Sequence, residues 1–185
     1  MKTTSRIVLL FLSAALAVTH LFIDPVKPEA AEELKPPLLP YISDVQLYDQ
    51  TDYNWTIRRL NGEDVGLSKF KNRVVFLHFW ATWCPHCKAQ MSSIQRLYES
   101  LRDKDDIEFI IASYQDQETV QKYISIKKIR LPIYLHKSAV PPVFGPRKRI
   151  PRTFVIDRTG HIVYQHIGAA KWDDESVLKF LESLL

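Results

Sequence analysis

Apolar residues follow two different repeats along the middle of this chain. The runs Val74 to Trp80 and Ile107 to Ala112 are largely apolar and rich in β-branched and aromatic residues. Such runs are typical of central strands that are covered on both faces. Between them, apolar residues recur at helical spacing at Met91, Ile94, Leu97, Tyr98 and Leu101. The pattern predicts a strand, a helix from about Pro85 to Leu101, and a second strand.

The next part of the chain continues the alternation of strands and helices. Asp116 is placed to cap a helix that has Val120 and Ile124 on its buried face. Residues 131–135, Leu-Pro-Ile-Tyr-Leu, predict a short strand. Because proline cannot donate to a ladder of hydrogen bonds, Pro132 indicates either an edge strand or the start of a strand.

The C-terminal part predicts a hairpin followed by a last helix. Two short apolar runs, residues 153–157 and 162–164, are separated by a glycine-containing turn, which favours a β-hairpin. Asp173 is placed to cap the last helix. Trp172 is then expected to pack onto Val177 as a hydrophobic staple.

A further hairpin is predicted upstream of the first buried strand. Trp55, Ile57 and Leu60 alternate with polar residues before Asn61-Gly62, a dipeptide that favours a two-residue type I′ turn. The element order is thus hairpin, strand, helix, strand, helix, strand, hairpin, helix. It predicts an α/β fold with a central mixed sheet flanked by helices, right-handed crossovers and an N-terminal β-hairpin extension.

Residues 1–23 are predicted to lie outside this fold. Lys2 and Arg6 precede an apolar stretch at residues 7–23, with no acidic residue before Asp24. A basic start and an apolar core are typical of a secretory signal. The stretch also reaches the lower limit for a spanning helix, so an uncleaved anchor is the alternative. Both interpretations predict export to the periplasmic or extracytoplasmic face of a membrane, with tethering by residues 7–23 in the second.

The remaining chain is predicted to be one domain on a tether. Residues 24–43 contain five prolines and several charges, which favours an extended linker. Residues 44–185 are then long enough for a single globular domain. The net charge of +4 is a mild basic bias without a basic stripe, which argues against binding to nucleic acid.

The candidate chemistry lies where the first buried strand meets its helix. Cys84 and Cys87, the only two cysteines, follow shortly after Trp80. At this spacing, two cysteines close a small disulfide ring or bind a metal as thiolates. A structural zinc site normally needs four protein ligands, and the chain has no second cysteine pair. The partial positive charge of a helix N-terminus favours the thiolate of Cys84, so we favour a redox pair.

Two stretches now resemble a known family. Residues 79–87, Phe-Trp-Ala-Thr-Trp-Cys-Pro-His-Cys, resemble the active-site strand and turn of thioredoxin-like proteins of the TlpA/ResA type. Residues 150–160, Ile-Pro-Arg-Thr-Phe-Val-Ile-Asp-Arg-Thr-Gly, are similar to the proline loop and hairpin of that family. The resemblance spans roughly residues 50–185. It implies a thioredoxin fold and an exported protein thiol-disulfide oxidoreductase that needs no organic cofactor.

The resemblance also implies roles for individual residues. Cys84 attacks a partner's disulfide, or is attacked by a partner's thiol, and Cys87 resolves the mixed disulfide. Pro151 is cis and faces the cysteines, and its loop binds the substrate chain. The residues expected to contact a docked protein are Trp83, Pro85, Ile150 and Arg152.

Several positions depart from the family pattern. Many thioredoxin relatives bury an acid where this chain has His78, and ResA-like members carry a glutamate where it has Gln115. The pair Pro85-His86 resembles that of DsbA-like oxidants. We expect His86 to lower the pKa of Cys84 and so to favour the reduced protein. His78 is either a satisfied core histidine or a relay for a proton to or from Cys87.

A cluster of basic residues surrounds the proline loop, at Arg147, Lys148, Arg149 and Arg152. Such a cluster is often only a solvated face. The alternative is that it attracts an acidic partner and supports the thiolate.

Other functions remain open at this point. A copper-binding chaperone would use Cys84 and Cys87 with His86 or His136, since copper(I) prefers soft thiolate ligands. A peroxiredoxin-like peroxidase is disfavoured by the spacing of the cysteines. For an oxidoreductase, the expected partners are protein thiols or disulfides, such as an apocytochrome or a copper protein, together with a membrane redox partner. The direction of electron flow is open.

Overall fold

The computed structural model describes residues 33–40, 49–145 and 149–185. The predicted signal or anchor, residues 1–23, lies outside the described residues, as does most of the predicted tether. Within the described part, no helix has the length and apolar character needed to cross a bilayer.

The described residues form a seven-stranded mixed sheet with the order β2-β1-β5-β4-β3-β6-β7. β3, β4 and β5 are parallel, while β6 is antiparallel to β3 and β7 to β6. β1 runs antiparallel to β5, and β2 antiparallel to β1. The strands are β1 (Thr56–Arg59), β2 (Asp64–Gly66), β3 (Val74–Trp80), β4 (Ile107–Ser113), β5 (Ile133–His136), β6 (Arg152–Ile156) and β7 (Ile162–Ile167).

Three α-helices occur in the described residues: α1 (Pro85–Leu101), α2 (Gln117–Lys127) and α3 (Glu175–Glu182). The predicted cap of α2 is confirmed, because the Asp116 side chain accepts the N–H of Thr119. The prediction that Asp173 caps α3 is wrong by one residue.

The cap of α3 is Asp174, whose carboxylate accepts the N–H and the hydroxyl of Ser176. Asp173 instead forms an ion pair with Arg96 on α1, with 2.6 Å between Oδ2 and Nε. One carboxylate therefore caps the helix and the other fastens it to α1. Trp172 is nevertheless buried in the same core as Val177.

The structure decides between the two predicted positions of Pro132. Pro132 precedes β5, which lies between β1 and β4, so the proline marks a strand start and not an edge.

The turn at Asn61-Gly62 is not type I′, because that turn needs positive φ at both residues. Gly62 alone has positive φ, at 91°, and its N–H donates to the carbonyl of Arg59. The two strands are therefore joined by a three-residue loop, residues 60–62, whose last residue is a glycine with positive φ.

Alternate residues of β3 divide the core in two. Phe76 and Trp80 belong to a helix-side core, to which all three described helices contribute buried apolar residues. Leu77 and Phe79 belong to an opposite-face core, which also contains Trp55. Because β3, β4 and β5 step across the sheet in one direction, right-handed crossovers place α1 and α2 on the same face. The sheet is covered on both faces, with its helices on one of them.

Part of the predicted tether lies against the domain. The carbonyl of Lys35 accepts the N–H of Lys171 at 2.8 Å. Pro37 is buried and Leu39 packs against the helix-side core, whereas Leu38 between them is 94% exposed. Residues 33–40 therefore form a short extended segment that is fixed beside the loop leading into α3.

Candidate active site

The two cysteines form a disulfide at the start of α1, with their Cα atoms 5.2 Å apart. Cys84 is the N-cap of the helix, and its sulfur accepts the N–H of Cys87 at 3.2 Å. The first turn, Pro85 to Lys88, carries only neutral and basic side chains. On reduction, the helix N-terminus therefore favours a thiolate at Cys84 without an opposing carboxylate in that turn.

Exposed side chains surround the buried disulfide. Cys87 is fully buried and Cys84 is only 3% exposed. Trp83 is 68% exposed, and Pro85 and His86 are also exposed. A protein that reaches the sulfur of Cys84 must therefore contact this rim, which gives the predicted substrate-binding residues Trp83 and Pro85 accessible positions.

The proline loop lies at the same edge of the sheet as the disulfide. The Ile150–Pro151 peptide bond is cis, which confirms the geometry implied by the resemblance. Phe79 near the end of β3 pairs with Arg152 at the start of β6, so Pro151 lies beside the end of the strand that leads to Cys84. Ile150 packs against the helix-side core that contains both cysteines.

Gln115 fixes the turn between β3 and the cysteines. Its Oε1 accepts the N–H of Thr82 at 2.6 Å, and its Nε2 donates to the hydroxyl of Thr82 at 2.9 Å. Trp80 pairs with Ser113 in the parallel strands, so Thr82 and Gln115 each lie two residues beyond that pair. Where the family resemblance leads us to expect a glutamate, this chain therefore has a neutral clamp.

Replacing Gln115 with leucine is expected to lower the free energy of unfolding by about 1–3 kcal/mol, because the backbone N–H of Thr82 loses its acceptor. Chemical denaturation measures the change. Gln121→Leu, at an exposed position on α2, is the matched control and should change stability by less than about 0.5 kcal/mol. Equal effects of the two substitutions would contradict the clamp.

His78 lies inside the domain with both ring nitrogens engaged. It is completely buried on β3, with Nδ1 2.8 Å from the hydroxyl of Thr153 and Nε2 3.3 Å from the amide nitrogen of Gln90. Burial, and to a lesser degree the nearby His166, lower the pKa of His78 to about 3. The imidazole is therefore neutral near pH 7. Of the two predicted alternatives, both features favour the satisfied core histidine over a relay of a proton to or from Cys87.

Gln90 joins this site although the sequence reasoning missed it. It is fully buried on α1, three residues after Cys87. Its spacing from Cys87 and Ile94 places it on the buried face of the helix, and this periodicity is the signal that identifies it. A glutamine on the apolar face of a helix needs polar partners inside the protein.

Arg152 occupies a different place from the one predicted. Its side chain is only 4% exposed, and its guanidinium carbon lies 5.7 Å from the ring centre of Phe79 and 5.2 Å from that of Phe154. Burial lowers the pKa of Arg152, and Tyr114 beside it partly offsets this. The side chain therefore lies inside the domain beside these rings and not on the exposed rim, and its contact with a docked protein stays a prediction.

Gly145 lines the space that the Arg152 guanidinium occupies. It has a φ of +64°, and a Cβ atom added there would lie 2.6 Å from Nη1 of Arg152. Any other residue would displace the guanidinium. Of the remaining predicted basic cluster, Arg149 is exposed, and Arg147 and Lys148 lie outside the described residues.

The proposed copper ligands are only partly brought together. His86 lies between the cysteines, but the ring of His136 stacks on Tyr114, with 4.1 Å between ring centres, and packs near Trp55 in the opposite-face core. Among the described residues, no group of three or more histidine, cysteine or acidic side chains is arranged to bind a metal.

Known proteins resemble this chain in sequence and in fold. Residues 49–181 match the family described as Redoxin. The chain is 30% identical over 131 residues to the thiol-disulfide oxidoreductase ResA of Halalkalibacterium halodurans, which covers 70% of this chain and 72% of the relative. It is 28% identical over 116 residues to the sporulation thiol-disulfide oxidoreductase A of Bacillus subtilis, covering 60% and 69% respectively.

The solved structure of StoA from Bacillus subtilis superposes with a TM-score of 0.57 at 25% identity, over 68% of this chain and 94% of StoA. Fold, sequence and the disulfide at the N-terminus of α1 thus agree. The chain belongs to the redoxin family, as a thioredoxin-like thiol-disulfide oxidoreductase of the ResA type.

Proposed function

We propose that this oxidoreductase is exported and exchanges disulfides with protein partners through Cys84 and Cys87, without an organic cofactor. The observation that carries the proposal is the position of Cys84, which caps α1 behind an exposed rim and beside a cis-proline loop. The basic start and apolar stretch at residues 7–23 support export and a membrane tether.

The exchange proceeds in two displacements. In the reduced protein, the Cys84 thiolate attacks one sulfur of a partner disulfide, and the other partner sulfur leaves as a thiolate that takes up a proton. Cys87 then loses its proton and attacks the Cys84 sulfur of the mixed disulfide. The second partner sulfur is released, so the partner gains two electrons and the Cys84–Cys87 disulfide forms. The same steps in reverse oxidise a partner dithiol.

The electrostatics of the site favour the oxidising direction. His86 is exposed between the two cysteines, and Gln115 places a neutral group where a glutamate would add negative charge. Both features favour the Cys84 thiolate, and a stabler thiolate makes the disulfide form the stronger oxidant.

The reduction potential of the domain tests this direction. We expect a value above the roughly −270 mV of thioredoxin. His86→Ala should lower the potential by on the order of 30 mV, which for two electrons is a tenfold change in the equilibrium constant. Equilibration with glutathione buffers measures both. His161→Ala, in the turn at the far end of β6, is the control and should leave the potential unchanged.

A potential at or below that of thioredoxin would contradict the oxidising role, and an unchanged potential in His86→Ala would contradict the contribution assigned to His86.

The proposed partners follow from the compartment. No thiol buffer is assured outside the cytoplasm, so a membrane redox partner is expected to reset the pair. In the oxidising direction the proposed substrates are exported proteins whose reduced cysteine pairs must form disulfides. An apocytochrome or a copper protein needs reduced cysteines before it binds its cofactor, so either would be the substrate if the domain acts as a reductant. Capture of mixed disulfides by Cys87→Ala in the producing cell would identify either partner.

A further inference from the structure

A single buried side chain links three segments that border the disulfide. Gln90, on the helix that carries both cysteines, accepts hydrogen bonds at Oε1 from the backbone N–H of Ala170 at 3.0 Å and from Nε1–H of Trp172 at 2.7 Å. Both partners can only donate, so their contacts fix which end of the amide is the oxygen. The amide nitrogen of Gln90 therefore faces His78.

This orientation also determines the protonation of His78. Because Gln90 Nε2 is a donor, the facing Nε2 of His78 must accept and carries no proton. The proton of the neutral ring is then on Nδ1, which donates to the hydroxyl of Thr153 at 2.8 Å. The hydrogen bonds thus run in one direction, from Trp172 and Ala170 through Gln90 and His78 to Thr153.

The chain of hydrogen bonds closes around the proline loop. Thr153 lies two residues after the cis-proline, Pro151, and Ala170 lies two residues after Gly168. The N–H of Gly168 donates to the carbonyl of Pro151 at 3.0 Å. Helix α1, the start of β6 and the loop at residues 168–172 are therefore held in one ring of contacts, in which Gln90 reaches the loop directly and β6 through His78.

We propose that Gln90 and an Nδ1-protonated, neutral His78 are positioning residues, which hold the cis-proline loop in register with the helix that carries the cysteines. The inference rests on the proposed exchange with proteins through Cys84. A protein substrate must dock along the loop while its sulfur reaches Cys84, so it depends on this register. A small dithiol needs only the sulfur and does not depend on it.

The tautomer of His78 is the first test, and it needs no variant. Nitrogen-15 NMR of the histidine side chains in the oxidised protein at pH 7 should show Nδ1 protonated and Nε2 bare for His78. A proton on Nε2, or an imidazolium, would overturn the proposed direction of the network.

The second test compares two substrates of the oxidised protein, reduced unfolded ribonuclease A and dithiothreitol. Thr153→Val keeps the shape of the side chain and removes the acceptor of His78. Gln90→Glu replaces the donor that faces His78 with an acceptor. Each should lower kcat/KM for the protein thiol by about 3- to 10-fold, the effect of losing one hydrogen bond. The rate with dithiothreitol should stay within about twofold of the wild type.

Ser93→Ala is the matched control. Ser93 Oγ accepts the N–H of Trp172 at 3.2 Å, so its loss removes a neighbouring contact between α1 and the same loop but leaves the link from Gln90 to His78. The ratio of the two rates should then be unchanged. Equal slowing with both substrates in Thr153→Val would overturn the positioning role. Cys84→Ala must abolish both reactions, and its failure to do so would refute the proposed exchange itself.

Discussion

Replacing Cys84 with serine should lower the rate of insulin reduction, with dithiothreitol as the electron source, by at least about 10³-fold relative to the wild-type enzyme. The thiolate is the nucleophile of disulfide exchange, and serine does not form an equivalent one near neutral pH. No other cysteine outside the pair can substitute, because the chain has only two. The catalysed excess over the background rate with dithiothreitol alone measures the effect.

Two further substitutions on the same helix show whether the loss of insulin reduction is specific to Cys84. Ser92→Ala, at an exposed position on the same helix, should leave the rate unchanged. Cys87→Ser should also slow turnover, because its mixed disulfide has no internal nucleophile and must wait for dithiothreitol to resolve it. Multiple turnovers by Cys84→Ser would contradict the assigned roles.

His78 should make the domain sensitive to acid. Its pKa is about 3 in the folded protein, against an ordinary value of 6.5, so between these two pH values the unfolded chain binds one more proton. The contribution of His78 to stability is therefore fully present above pH 6.5 and is lost as the pH is lowered towards 3, with a slope of up to about 1.4 kcal/mol per pH unit from this group. Between pH 6.5 and 4 the loss is expected to be roughly 3 kcal/mol.

Urea denaturation at a series of pH values measures this slope, and His78→Asn should reduce it. The absolute stability of His78→Asn will differ, but the slope depends only on proton uptake. His166 is also partly buried with a lowered pKa, so His166→Asn should reduce the slope by a smaller amount. His161→Asn, in the turn between β6 and β7, is the control. Identical slopes in the wild type and His78→Asn would contradict a neutral buried imidazole.

The order of elements and the position of the cysteines could be predicted from local patterns. A strand is predicted by the apolar run that ends at Trp80, and a helix by the spacing of Met91 and Leu97. Both elements are present in the structure. The cis bond before Pro151 came from the resemblance alone, since most proline bonds are trans.

The positions that could not be assigned from the sequence are polar residues whose partners lie on distant segments of the chain. From the sequence, Asp173 and Asp174 are equivalent candidates for the cap of α3. The ion pair between Asp173 and Arg96, on another helix, distinguishes them. In the sequence, Arg152 belongs to a cluster of basic residues. In the fold, its side chain is buried because it packs against the ring of Phe154 and occupies the space beside Gly145. Gln90 is likewise defined by partners about 80 residues away, so its role depends on the folded chain.

The most direct test of the central claim is the rate at which each single-cysteine variant forms a mixed disulfide with insulin, followed by intact-protein mass spectrometry. Cys87→Ala retains Cys84 at the helix N-terminus and is expected to bind one insulin chain rapidly and stably. Cys84→Ala retains only the buried Cys87 and is expected to react at least about 100-fold more slowly, because its sulfur is shielded. Equal rates, or faster reaction of Cys84→Ala, would contradict the assignment of Cys84 as the attacking residue.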